Sequence, residues 1–154
     1  MTENKPTQDR QPSAGFAIGA QYIKDVSFEN KLSPDILQAS SKEPRTDIQF
    51  HVSTKKLGQD QSEVCLRVVA QLHINDQLVY LLDLTYAGLF MLRGLDDSTE
   101  EKVLNIECPR LLYPSARTLV LVLSQDSGFP PLYLSPAIDF AQLFQQQQKK
   151  RTAH

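Results

Sequence analysis

The chain has 154 residues, a formal net charge of −2, and 41% hydrophobic and 22% charged residues, so its length allows one domain around one core. Mild acidity and the lack of a basic stripe interleaved with aromatics exclude a nucleic-acid binder, the densest cationic cluster being Lys149-Lys150-Arg151 near the end. The longest apolar runs, around 87–92 and 119–123, fall far short of the ~20 residues of a membrane span, and Met1-Thr2-Glu3-Asn4-Lys5-Pro6 has no apolar core after its charges, so a cytoplasmic protein without direct membrane insertion is expected.

Residues 1–14 are polar, with Pro6 and Pro12, and read as a disordered N-terminal segment. From Phe16 the pattern alternates: Phe16, Ile18, Ala20, Tyr22, Val26 and Phe28 fall on one face, and Gln21, Asp25, Ser27 and Glu29 on the other. That period marks a half-buried strand. A long connection through Pro34 to Pro44, carrying Leu32, Ile36 and Leu37, leads to a second strand on which Ile48, Phe50 and Val52 alternate with Asp47, Gln49, His51 and Ser53. Gly58-Gln59-Asp60-Gln61 turns the chain into a third strand, with Val64, Leu66, Val68, Ala70, Leu72 and Ile74 facing one way. Asn75-Asp76-Gln77 turns it into a fourth, over Leu78–Phe90, apolar on both faces. Four strands joined mostly by short turns imply an antiparallel sheet, and a strand buried on both sides implies an assembly partner.

Beyond Gly94 the period becomes helical. Ser98 with Glu101 forms a capping-box pattern, and Pro109 and Pro114 are expected to interrupt the helix. Leu112, Ala116, Leu119, Val120 and Leu123 recur at three- and four-residue spacing, which predicts a helix from about Pro109 to Gln125, kinked near Pro114. Ser135-Pro136 reads as the start of a last short helix bearing Phe140, Leu143 and Phe144, and residues 146–154 as a disordered basic tail. The expected fold is therefore α+β: a four-stranded antiparallel sheet, then a long kinked helix and a short C-terminal helix packed on the even-numbered face, in a single domain over 15–145.

The connection Gly128-Phe129-Pro130-Pro131-Leu132-Tyr133-Leu134-Ser135-Pro136 is too rich in proline for regular structure and too apolar for a solvated loop. Leaving Phe129, Leu132, Tyr133 and Leu134 all in water forgoes roughly 1.5–3 kcal/mol per large side chain. Either the fold covers them or a ligand does.

Nucleophile elbows, phosphate-cradling glycine loops, Cys-x-x-Cys pairs and His-Glu-x-x-His helices do not occur in the sequence. Cys65 and Cys108 have no metal-binding or disulfide spacing and read as small buried hydrophobes. His51 and His73 sit at polar positions of adjacent strands, close enough on this pattern to approach one another, and read as solvated. No cofactor and no metal is called for, and a binding protein fits better than an enzyme. Asp25 and Glu29 share an outer face about 13 Å apart, at roughly 3.3 Å per residue, and Asp83 and Leu81 share the outward parity of the fourth strand, giving an acidic outer sheet face.

Four ordered segments, Tyr22-Ile23-Lys24-Asp25-Val26-Ser27-Phe28-Glu29, Ala87-Gly88-Leu89-Phe90, Cys108-Pro109-Arg110-Leu111-Leu112-Tyr113-Pro114-Ser115-Ala116-Arg117 and Gly128-Phe129-Pro130-Pro131-Leu132, resemble the bacterial protein-export chaperone family SecB. The resemblance runs from about Phe16 to Phe144. It implies a homotetramer, a dimer of dimers, that holds unfolded precursor proteins without ATP and delivers them to the SecA translocase motor. On that resemblance, Asp25, Glu29, Leu81 and Asp83 dock SecA. Phe129, Leu132, Tyr133 and Leu134, with Leu32, Ile36 and Leu37, line the client groove. Leu82, Leu84 and Tyr86, with Leu112, Ala116, Leu119 and Val120, serve the oligomer interface. The chain departs from the family pattern in having Asp83 where glutamate is commoner and a basic rather than acidic end. The alternatives are a peptide-binding adaptor with one fixed folded partner, or a small oligomeric hydrolase using His51 or His73.

Overall fold

A computed structural model describes residues 15–38 and 43–152; the N-terminal segment expected over 1–14 lies outside the described residues. Four strands, β1 (Gly15–Asn30), β2 (Arg45–Lys56), β3 (Gln61–Ile74) and β4 (Gln77–Arg93), form one antiparallel sheet in the order β1-β4-β3-β2. The β3–β4 hairpin is tight because Asn75 and Asp76 both adopt positive φ, at 54° and 62°, the geometry that matches the twist of a two-residue hairpin. The connection after β1 carries a short helix, α1 (Pro34–Gln38), which the sequence pattern does not predict.

Period-two patterning holds along β3 and β4 as far as a register shift at Leu72 and His73, where β4 carries buried Val79 as an extra residue. Val64, Leu66, Val68, Ala70, Leu82, Leu84 and Phe90 are fully buried on the even-numbered face, beneath the helices. In β1 it fails in the middle. Register shifts between Ile18 and Gln21 and between Ile23 and Asp25 each insert one extra residue, so the segment between them is turned over. Gln21 and Ile23 lie opposite Gly88 and Tyr86 on the helix side, and Tyr22 opposite Ala87 on the outer side. Unbroken alternation predicts the reverse, Tyr22 with the core-facing residues and Gln21 outside. The second bulge restores parity, and Asp25, Ser27 and Glu29 return to the outer face.

The helical rod begins earlier than expected and is not interrupted by its prolines. It runs from α2 (Asp97–Lys102) through a π turn (Val103–Glu107) into α3 (Cys108–Gln125) without a break. Asp96 rather than Ser98 is the cap, accepting from Thr99 N–H at 2.8 Å, and Asp97 and Glu100 add negative charge in the first turn, where the helix dipole favours it. In α geometry the Pro109 ring would strike the carbonyl four residues back, that of Asn105. The wider π turn, in which Cys108 N–H reaches the Val103 carbonyl, sits at that point. Pro114 lies within α3. Leu112, Ala116 and Val120 of α3 are fully buried. Gly88 permits this close packing: a Cβ there would lie 2.9 Å from Leu112 Cδ2 and 2.9 Å from Phe90 Cε2.

The last helix, α4 (Phe140–Thr152), starts later and extends further than expected. Its start is capped by Asp139, whose Oδ1 accepts from Gln142 N–H at 3.0 Å, not by Ser135. It continues through Lys149, Lys150 and Arg151 as far as Thr152, and the last two positions of the tail expected over 146–154 lie outside the described residues. Phe140 fixes it to the body, 1% exposed and edge-on to Tyr113.

Candidate functional site

Two surfaces gather the residues singled out in the sequence. The first forms where the connection after β1 meets the loop after α3. Asn30 joins them, donating from Nδ2 to the Ser127 carbonyl at 2.8 Å while its Oδ1 accepts from Leu32 N–H at 3.0 Å. Gly128, at φ +90°, lets the backbone turn against Leu32; a Cβ there would lie 2.4 Å from Leu32 Cδ2. Leu32, Ile36 and Phe129 consequently pack together on Leu72, Ile74, Val79 and Tyr80, a small apolar cluster separate from the main core. Beside it a groove of about 560 Å³ opens between α1 and the β3–β4 hairpin, lined by Ile36, Ile74 and Leu78 together with the polar Lys31, Ser33, Asp35, Asn75 and Gln77.

The rest of the loop is fastened from beneath. Buried Ser124 accepts from Leu132 N–H at 2.8 Å, Ser127 accepts from Phe129 N–H at 3.2 Å, Arg117 Nε donates to the Leu134 carbonyl at 3.0 Å, and Tyr113 OH donates to the Ser135 carbonyl. Sequence reasoning missed Asn30, Tyr113, Arg117, Ser124 and Ser127, because single polar residues in helices and strand ends carry no spacing signal. The apolar set itself divides. Leu134 is 3% exposed and belongs to the main core, so it is no groove residue, and Leu132 packs partly against the same core. Tyr133 is 71% exposed and Leu37 52%.

The second surface is the outer face of the sheet. Strand register sets Asp25, Thr85, Arg67 and His51 in one row across β1, β4, β3 and β2, with Ser27, Asp83, Val69 and Gln49 in the next and Glu29, Leu81, Gln71 and Asp47 in the third. Asp25, Glu29, Leu81 and Asp83 thus share one face. Asp83 is not free there: Arg67 grips it with both prongs, Nε to Oδ1 at 3.0 Å and Nη2 to Oδ2 at 2.7 Å, and that pairing holds the Asp83 carboxyl below its ordinary range. Further along, Glu63 accepts hydrogen bonds from Lys24 Nζ and Tyr22 OH, which hold its carboxyl pKa below the ordinary range, with Lys24 the larger cause. His51 and His73 do not meet, since they pair with Arg67 and Arg45, positions six residues apart along the β2–β3 ladder.

The bond to Glu63 pushes the Tyr22 phenol up to about 12 from an ordinary 10.0, ahead of the effect of burial. Because the folded value lies above the unfolded one, the stability this bond adds is whole below pH 10 and is lost as pH climbs toward 12. In a phenolate absorbance titration, with Tyr22→Phe subtracted to isolate the group, Tyr22 should ionise near pH 12. In Glu63→Gln it should ionise earlier.

The expected interface set also divides. Leu82, Leu84, Leu112, Ala116 and Val120 are 0% exposed within the single chain, used up by the contact of its own sheet and helix. They cannot present a surface to another subunit. Tyr86 and Leu119 remain partly exposed and line a hollow of about 530 Å³ with Ile23 and Pro114.

The pattern of the family described as preprotein translocase subunit SecB matches residues 7–151. The chain belongs to the SecB family. It is 39% identical over 142 residues to the protein-export protein SecB of Nitrobacter hamburgensis, covering 92% of this chain and 89% of the relative. It is 41% identical over 134 residues to that of Maricaulis maris, covering 87% and 77%. Its fold is similar to that of the SecB-like chaperone of Mycobacterium tuberculosis, solved in complex with a ChAD peptide from the HigA1 antitoxin, with a TM-score of 0.65 and 21% identity over 80% of this chain and 91% of that one. SecB proteins are protein-export chaperones and not enzymes, and this chain is one of them. Among its described residues no helix is long and apolar enough to cross a membrane.

Proposed function

We propose that this SecB chain acts in the cytoplasm, binds unfolded precursor proteins along the groove beside the Leu32–Ile36–Phe129 cluster, and passes them to the SecA motor through the outer sheet face. The observation that carries the client site is the meeting of two loops, about a hundred residues apart in sequence, in one half-exposed apolar cluster. Nonpolar contact with an extended segment demands little of its side-chain order. Four such sites wrapped by one long chain convert weak contacts into avidity, because later engagements are intramolecular.

Assembly as a dimer of dimers is supported by β1. It is a sheet edge, its register bulged, and it leaves Phe16, Ile18, Ile23 and Val26 between 41% and 48% exposed. An apolar edge strand of this length invites pairing. Docking to SecA is supported by charge: Asp25 and Glu29 stand exposed around partly covered Leu81, a surface suited to a basic partner.

The two functions lie on opposite sides of the sheet and are separable. Asp25→Lys and Glu29→Lys should weaken SecA binding about tenfold or more, an effect on the order expected for like charges placed in an interface. Binding of an unfolded precursor, measured by titration of the same variants, should stay within about twofold. Equal loss of both activities would refute the two-surface arrangement.

A further inference from the structure

Arg67 lies at the centre of the outer face, 51% exposed at its side chain, in register with Asp25 through Thr85 and with its guanidinium on Asp83. We infer that Arg67 sets the strength of motor docking by masking Asp83, so that the acids presented to a basic partner are chiefly Asp25 and Glu29; this rests on the docking role proposed for that face. Three observations carry it. The contact is two-pronged, at 3.0 and 2.7 Å, which occupies one edge of both carboxylate oxygens. Asp83 is the less exposed member at 29%, whereas the cation stands out into solvent, so an approaching partner meets positive charge first. The Asp83 side chain is also one methylene shorter than a glutamate and is drawn towards β3, away from the β1 acids.

Asp25 also lies within electrostatic reach of Arg67, which its charge helps to keep protonated. The same cation therefore subtracts from both neighbouring acids. A basic docking surface gains from Asp25 and Glu29 and is opposed by Arg67, which lowers affinity without touching the client groove on the other side of the sheet.

The test is a binding cycle with purified SecA and the full-length chain at low and high salt. Arg67→Met should bind SecA about two- to fivefold more tightly, the size of a surface charge effect, with the gain shrinking as salt is raised. Asp83→Asn should bind more weakly, and Arg67→Met with Asp83→Asn should return to within about twofold of the native chain, because a neutral pair has been replaced by a neutral pair. Unfolded-precursor binding by each variant should match the native chain and reports that the variant is folded. Weaker or unchanged SecA binding by Arg67→Met, while Asp25→Lys still weakens docking, overturns the assignment of Arg67 alone. Unchanged docking by Asp25→Lys overturns the docking face itself.

Discussion

Leu112→Ala is expected to destabilise the folded chain by about 2–5 kcal/mol in urea unfolding, the range for a buried leucine whose loss leaves a cavity. Leu112 is 0% exposed and lies on α3 directly over Gly88 of β4. Two features place it at the upper end. Gly88 has no side chain to move into the vacated space, and Phe90 and Ala116 beside it are themselves fully buried. Collapse would require the helix to approach a sheet it already touches. The adjacent Leu111, 46% exposed on the same helix, is the control: Leu111→Ala should cost less than about 1 kcal/mol, as surface substitutions do. Equal costs would mean that α3 packs with another face toward the sheet.

The second large effect falls on the proposed client site. Phe129→Ala is expected to lower affinity for an unfolded precursor by about tenfold, as for a buried aromatic anchor at an interface. Phe129 also packs on Tyr80 and its neighbours, so part of its effect reaches stability. Tyr133 separates the two contributions. At 71% exposure it adds little to the folded chain, so Tyr133→Ala should leave the urea midpoint unchanged and still weaken client binding. Leu134→Ala should do the reverse, since that side chain is 3% exposed in the core. A Tyr133→Ala variant that binds clients normally would confine the site to the cluster of Leu32, Ile36 and Phe129.

Much of this was readable from residue order. The even-numbered residues of β3 and β4 announce the buried face because every second side chain must enter one core. The acidic outer surface of Asp25, Glu29 and Asp83 follows from the same parity. Parity failed in β1, where two bulges turn over Tyr22 and Gln21; an extra residue is defined by its partner strand and leaves little trace in its own, apart from Gly19 within the first bulge. Pro109 was misread as a helix break because the remedy, a π turn, is a property of backbone hydrogen bonds. The expectation for the loop after α3 was half fulfilled. Its composition showed that something must cover it, but which side chains the fold itself covers depends on Ser124 and Arg117, reached only in three dimensions. The oligomer candidates on α3 suffered the same ambiguity: a stripe at helical spacing identifies a buried face without saying which surface buries it.

The most direct test of chaperone activity is to dilute a slow-folding precursor from denaturant into buffer with and without the full-length chain. Refolding rate and the mass of the resulting complex are read together. Refolding should be delayed in proportion to chaperone concentration, with the precursor held in a complex of raised mass and the delay reduced by Phe129→Ala. Refolding at the unassisted rate, with no complex of raised mass, would contradict the function proposed for this SecB chain.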